Sequence, residues 1–257
     1  RTIILIEEYR RKSEKEISEL HDIISKDALI VTNLLKIANS AMFGFRSKVE
    51  TPIRAISLLG INFTISVAIS ASSQKLLVTT LAPYGLTNDN FMNSSNIASV
   101  LASLWLGKID ESIKDEIILP ALLIDIGKYI IADMILNEQK EKEFKAKIEE
   151  GILSIEEVEK EFLGFSSSFV TAQIFKHWKL SPNLINSIEF VDDINSVSKE
   201  FERKAKILSV IKTVANIKEP LSEKSIKEAI IKAKEYGFDT NILAQTIENL
   251  KTKIDLY

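Results

Sequence analysis

The sequence predicts an all-α fold, a compact bundle of about a dozen helices of ordinary length. Only eight glycines and five prolines occur in 257 residues, so the connections between helices should be short. We find no Asn-Gly or Asp-Gly hairpin turn and no convincing alternating apolar run, so strands are not expected. Apolar residues recur at the spacing of one helix face near both ends of the chain, at Ile30, Leu34, Ile37 and Ala41 and at Leu243, Ile247, Leu250 and Ile254.

Helix start and stop signals agree with this periodicity. Thr51 stands before Pro52 in the arrangement of a cap followed by a first helical residue, and Gly60 provides a plausible stop. Two pairs have the spacing of a capping box, in which each side chain satisfies an orphan backbone donor: Ser13 with Glu16, and Ser154 with Glu157.

Composition limits the environment and the partners. The chain has 46% hydrophobic residues, which is typical of a globular protein. The absence of cysteine favours a reducing cytoplasm, and the net charge of -3 argues against nucleic acid as a partner. The longest apolar run, residues 117–124, contains Pro120 and is far shorter than the roughly 20 residues that span a bilayer. We therefore expect a core helix there and no membrane association. Lysine and glutamate alternate in residues 141–150 as on a solvated face, so nucleic acid is not an expected partner.

The best candidate domain boundary is the Lys-Glu-Pro stretch at residues 218–220. We predict a main domain over residues 1–218 and a C-terminal part over residues 219–257. The latter should contain two amphipathic helices, at residues 222–236 and 241–254. Two helices alone bury too little surface to be stable, so we expect them to dock on the main body.

Three segments resemble the HDOD family, a group related to HD phosphohydrolases. Residues 23–60, IISKDALIVTNLLKIANSAMFGFRSKVETPIRAISLLG, are similar to its signature, except that the usual proline after Asp27 is missing. LPALLIDIGKYII at residues 119–131 resembles the superfamily's L-L-H-D-I-G-K element, and GFSSSFVTAQIFKHWKLSP at residues 164–182 resembles a later motif. The resemblance covers about residues 13–218. It implies an HD-like bundle with an N-terminal HDOD helical subdomain and a role in bacterial signal transduction.

The resemblance also implies where the metal ligands of an HD phosphohydrolase would fall. Such a site uses histidines and aspartates to hold divalent metals that activate water. Only Asp125 and Asp192 remain as ligands, which is enough for a weak Mg²⁺ or Ca²⁺ site but not for a histidine-rich one. The positions of this degenerate site are Asn93, Ile124, Asp125, Ser167, Val191 and Asp192.

Other catalytic chemistries find little support. The chain has two histidines, His21 and His177, and neither falls on a ligand position. His177 lies near an apparent helix end, where it would support the helix dipole or pack on Trp178, and His21 is expected at a surface or boundary position. Glycine-rich phosphate loops and the G-x-S-x-G elbow are absent from the sequence. We therefore expect no enzyme activity, no cofactor, no metal and no catalytic residue.

Four residues are candidate ligand contacts, each with a structural alternative. Asp125 would either cap the helix that begins near Gly127 or contact a ligand, and Lys128 would pair with it. Asn39 and Ser40 stand at a helix end, where such residues usually satisfy backbone groups.

Three functions follow from these expectations. The first is a non-catalytic signalling module that binds an unidentified signalling protein. The second is a sensor of a nucleotide or second messenger, with the ligand near Asn93, Asp125, Lys128 and Asp192. A polar pocket beside Asp125 would favour this hypothesis, and a cleft filled with apolar side chains would contradict it. The third is a residual metal-dependent phosphohydrolase.

Overall fold

The helical periodicity of the sequence produces an all-helical fold. The computed structural model describes residues 2–39, 48–74, 80–177 and 182–255, and contains fifteen α-helices and no strand within those ranges. The all-α prediction is confirmed, with more helices than expected because several span only seven to nine residues. In chain order the helices are α1 (Thr2–Arg10), α2 (Ile17–Ile24), α3 (Ala28–Ala38), α4 (Pro52–Leu59), α5 (Ile61–Gln74), α6 (Asn88–Ile109), α7 (Lys114–Leu122), α8 (Gly127–Asn137), α9 (Glu141–Glu150), α10 (Ile155–Leu163), α11 (Ser167–His177), α12 (Pro182–Ile188), α13 (Glu202–Val214), α14 (Glu223–Glu235) and α15 (Thr240–Asp255).

The predicted helix caps are correct at two of three places. The Ser154 hydroxyl accepts a hydrogen bond from the Glu157 amide at 3.2 Å, and the Glu157 carboxylate accepts one from the Ser154 amide at 2.8 Å. Thr51 caps α4 as expected. The capping box at Ser13 is wrong, because α2 begins three residues later, after Glu16, and has no side-chain cap.

The first five helices form an N-terminal layer around α5. Helix α5 contacts α1, α3 and α4, and it also joins this layer to α7. The predicted face of α3 points into the core, since Ile30, Leu34 and Ile37 are all buried. Ala41 of the same predicted face lies outside the described residues.

Helices α6 to α13 form the central body. Helix α6 packs along α7, α8 packs on α11, and α13 contacts α6, α7 and α12. The apolar run of residues 117–124 is buried as predicted, but its helix ends at Leu122. Pro120 lies in the last turn of this helix, where it cannot donate a backbone hydrogen bond. The remaining two residues of the run enter the tight turn that leads to α8.

The last two helices pack on the central body, α14 along α13 and α15 along α6. Leu243, Ile247 and Leu250 of α15 are fully buried. Trp105 of α6 contacts Phe238 edge to face, with ring centroids 5.3 Å apart. The division into two domains at residue 218 stays a prediction.

Candidate functional site

A tight turn between α7 and α8 positions Ile124 and Asp125, two of the six residues that the sequence identified as a degenerate metal site. Gly127 opens α8 where it passes very close to α11, since a Cβ at this position would lie 2.2 Å from the Ser167 carbonyl oxygen and 2.8 Å from the Thr171 amide nitrogen. The Gly127 amide donates to the Thr171 hydroxyl at 3.0 Å. Only glycine allows this approach, which brings the start of α8 against the start of α11.

Lys128, the next residue, is fully buried with its ammonium group among acceptors. Its Nζ donates at 2.9 Å each to carboxylate oxygens of Glu156 and Glu159 and to the Ser167 hydroxyl. The Oδ1 atom of Asp125 lies 3.4 Å away. One lysine therefore contacts four side chains from three segments of the chain: α10, the start of α11 and the turn before α8.

Glu159 is the buried centre of this cluster. One of its oxygens accepts from Lys128 and from the Tyr84 hydroxyl, both at 2.9 Å, and the other accepts from the Ser167 amide at 2.6 Å. The Lys128 ammonium also lies 5.5 Å from the centre of the Tyr84 ring. Burial of the Tyr84 phenol and the nearby Glu159 carboxylate raise the pKa of Tyr84 well above its usual value, so the phenol remains a donor.

Asp125 does not cap α8. The cap position is occupied by Ile126, whose side chain forms no capping hydrogen bond, so the capping prediction is wrong. The carboxylate instead lies beside Lys128, the pairing that the sequence also predicted. Its Oδ1 is buried and makes no hydrogen bond to any described residue.

A second ion-pair network adjoins the first. The Nζ of Lys212 on α13 lies 2.8 Å from Asp192 Oδ1 and 3.0 Å from Glu156 Oε1, the same oxygen that binds Lys128. Lys160 Nζ donates to the Asp192 carbonyl oxygen at 2.9 Å. These contacts connect α13 to α10 and to the loop after α12.

Burial and ion pairing oppose each other in setting the charges. Burial alone would lower the pKa of Lys128, but Glu156, Glu159 and Asp125 raise it well above its usual value. Burial alone would raise the pKa of Glu156, but Lys128 and Lys212 hold it well below. For Asp125 and Glu159 burial prevails and raises the pKa. The Lys128 ammonium and the Glu156 carboxylate therefore both stay charged at neutral pH.

The networks border an open polar cleft of about 1020 Å³, with the start of α10 and the loop after α12 on one side and α13 and α14 on the other. Three of the six predicted HD positions line it: Asp125, Val191 and Asp192. Lys212 of α13 and Lys232 of α14 line the opposite side. Apolar side chains do not fill the cleft, so it is the polar pocket that the ligand-sensor hypothesis requires.

The other three HD positions lie away from the cleft surface. Ser167 is fully buried and reaches the cluster through Lys128. Ile124 is buried in the core. Asn93 is exposed on α6 and is not part of the cleft lining.

The remaining candidate residues of the sequence are Asn39, Ser40, His21 and His177, and those that the structure describes belong to the helical framework. Asn39 follows α3 and bridges to the backbone of Val49, donating to its carbonyl and accepting from its amide, both at 2.7 Å. Ser40 lies outside the described residues. His21 is half-buried on α2, and His177 is exposed in the last turn of α11. Trp178, the predicted packing partner of His177, also lies outside the described residues.

The resemblance to HD phosphohydrolases implies a divalent-metal centre, but the residues at these positions do not fit one. Asp125 lies beside the Lys128 ammonium, and Asp192 beside that of Lys212. A divalent cation next to these two charges would be repelled by both. Within the described ranges, no three His, Asp or Glu side chains are grouped so that they could hold a metal ion.

The sequence reasoning missed Glu156, Glu159, Lys212 and Lys232. A signal for two of them was present in the helical pattern. Glu159 lies four residues after Ile155 and Lys212 four residues after Leu208, so each charged side chain falls on an apolar helix face. A charge on such a face indicates a buried partner.

Comparisons with known proteins agree with this architecture. The HDOD domain model matches residues 2–194. We found no significant match among curated proteins.

Three solved structures share the fold. A virulence factor from Campylobacter jejuni subsp. jejuni is 26% identical with a TM-score of 0.57, and the match covers 98% of this chain and 93% of that one. A protein from Shewanella amazonensis SB2B, provisionally named a phosphohydrolase, is 20% identical with a TM-score of 0.68, covering 98% and 92%. A protein from Marinobacter aquaeolei VT8, provisionally named a signal transduction protein, is 17% identical with a TM-score of 0.71, covering 99% and 56%.

None of the described helices combines the length and the apolar character needed to cross a bilayer.

Proposed function

Because this chain belongs to the HDOD domain family, we propose that it is a non-catalytic module of bacterial signal transduction that acts on a partner protein and responds to a small ligand in its cleft. The family assignment and the provisional name of the Marinobacter relative support a regulatory role. The sequence alone favours contact with a partner protein over the sensing of a small ligand. The open polar cleft beside Asp125 now favours including the ligand.

The observation that carries the non-catalytic part is the position of Lys128. Its ammonium group binds the carboxylates of Glu156 and Glu159 and lies beside Asp125. In an HD phosphohydrolase, charge of this sign would come from metal ions that activate water. A buried ammonium neutralises the carboxylates but has no open coordination position, so it holds the helices together without activating water.

The phosphohydrolase hypothesis retains one argument, the provisional name of the Shewanella relative. That likeness concerns the fold, and the site residues of this chain argue against hydrolysis. We would incubate the purified protein with para-nitrophenyl phosphate and bis-para-nitrophenyl phosphate in the presence of Mg²⁺ or Mn²⁺. We expect no hydrolysis above buffer. Turnover that Asp125→Asn abolishes would overturn the non-catalytic proposal.

Partner binding needs a separate experiment. The immobilised protein would capture partners from an extract of its own organism, with and without the extract's small-molecule fraction. We expect a specific partner whose capture changes when that fraction is added. Capture that ignores the small molecules would support protein contact alone and remove the sensor part. If no specific partner is captured in either condition, the signalling role itself is contradicted.

A further inference from the structure

The two sides of the cleft differ in charge. The side built from residues 125–194 carries five carboxylates and one lysine: Asp125, Glu156, Glu157, Asp192 and Asp193, with Lys160. The side built from residues 195–236 carries four lysines and two carboxylates: Lys199, Lys206, Lys212 and Lys232, with Glu202 and Glu228. The family match ends at residue 194, so the basic side, provided by α13, α14 and the segment before them, lies beyond that match.

Most of the inner charges are already paired. Lys212 contacts Asp192 and Glu156 across the cleft floor, and Lys206 pairs with Glu202 on its own helix. These cations are neutralised within the protein. They therefore bind an external anion only weakly.

Lys232 of α14 is different. Its half-buried Nζ donates to the Thr213 hydroxyl at 2.8 Å and forms no ion pair with any carboxylate of the described ranges. Burial lowers the pKa of Lys232, and the more distant Glu156 and Asp192 offset this only in part. The Thr213 hydroxyl, which itself donates to the Ser209 carbonyl at 2.9 Å, fixes the direction of the lysine. A partly desolvated ammonium that forms no direct ion pair with the described residues is thus presented to the cleft.

We propose that Lys232 is the anchor for a small ligand with a single oxyanion group, a phosphate or a carboxylate, and a neutral or cationic remainder. The oxyanion would form the ion pair that Lys232 lacks. The carboxylates of the opposite side would accept from donor groups on the remainder and repel a second anionic group. A cleft of about 1020 Å³ has room for a ligand considerably larger than a lone phosphate.

This inference rests on the proposed sensor role and assigns its ligand chemistry. Lys232 belongs to α14, whereas Asp125 and Asp192 belong to the central body. A ligand that contacts both sides would tie α14 to that body. Ligand binding in the cleft would thereby change the surface that the C-terminal helices expose. A partner that binds this surface would then respond to the ligand.

The test compares wild type with Lys232→Gln and with a matched control, Lys227→Gln. Lys227 lies on the same helix but is exposed and outside the cleft lining. NMR titration, which detects weak binding, would follow four probes: inorganic phosphate, phosphoethanolamine, γ-aminobutyrate and tripolyphosphate. Thermal unfolding of each variant would confirm that it is folded.

We expect saturable binding of phosphoethanolamine, γ-aminobutyrate or both, and the comparison of the two identifies the oxyanion. Binding should weaken roughly tenfold or more in Lys232→Gln and remain unchanged in Lys227→Gln. Inorganic phosphate should bind more weakly than the better of these two, and tripolyphosphate should not bind better than phosphate. The proposal is overturned if no probe binds, if Lys232→Gln binds as well as wild type, or if tripolyphosphate binds best. Such a failure is distinguishable from failure of the proposed function, because hydrolysis and partner capture are measured without these probes.

Discussion

Replacing Lys128 with methionine tests whether one buried ammonium group holds the central cluster together. Methionine keeps an unbranched apolar chain but removes the charge and all three donors. Glu156, Glu159 and Asp125 then lose the cation that they share. Lys128 is 0% exposed, so water cannot readily take its place.

The expected magnitude follows from this geometry. Lys128 forms two hydrogen-bonded ion pairs at 2.9 Å, and the Glu159 partner is as fully buried as the lysine. Breaking a buried ion pair by removing one partner costs about 3–5 kcal/mol. Protonation of Asp125 or Glu159, whose pKa values burial already raises, relieves part of this loss. We therefore expect a loss of about 3 kcal/mol near neutral pH, a large share of the roughly 5–15 kcal/mol that stabilises a domain.

Urea denaturation followed by the helical circular dichroism signal measures this loss. The difference from wild type should shrink as the pH falls below neutral, because the stranded carboxylates of the variant then take up protons. Lys140→Met is the control, since Lys140 pairs with Glu138 at 2.6 Å but both side chains are more than 40% exposed. The control should lose less than about 1 kcal/mol. A similarly small loss for Lys128→Met, or one that does not change with pH, would refute the reasoning.

Two further predictions concern the same turn. Gly127→Ala should lower stability by about 1–3 kcal/mol or more in thermal unfolding, because the added carbon would lie 2.2 Å from the Ser167 carbonyl oxygen. Gly107→Ala, on the exposed face of α6, is the control. Its added carbon meets only a flexible carboxylate at 3.5 Å, so this substitution should be neutral or stabilising. Equal effects of the two substitutions would show that the close approach at Gly127 is unimportant. Burial raises the pKa of Asp125 in the folded state above its unfolded-state value of about 3.9. As the pH rises from the unfolded-state pKa through the folded-state pKa, ionisation of Asp125 therefore lowers the stability of wild type. Asp125→Asn lacks that cost and should gain stability relative to wild type across this window in denaturation measured at several pH values, and a constant difference would contradict the assignment.

The features that the sequence predicted well are those that depend on local spacing. The apolar face of α15, at Leu243, Ile247 and Leu250, follows from a helical repeat and is buried as expected. The pairing of Asp125 with Lys128 spans less than one helical turn and also depends only on spacing. The turn that holds them was recognised through its motif.

The features that the sequence did not predict depend on how distant helices pack. Lys128 meets Glu159 from 31 residues further along the chain, and Lys232 meets Thr213 across two neighbouring helices. Spacing within a helix identifies which face a charge occupies but not which helix covers that face. The cleft exists because α13 and α14 stand opposite Asp125, and that arrangement is a property of the packed bundle.

Calorimetric titration of the purified protein with Mn²⁺ and Mg²⁺ tests the central claim most directly. The claim is that the ammonium groups of Lys128 and Lys212 neutralise the carboxylates at the proposed degenerate HD site, so that no metal ion binds there. We predict no saturable binding of either ion to wild type. Stoichiometric binding of either ion that disappears in Asp125→Asn would contradict it.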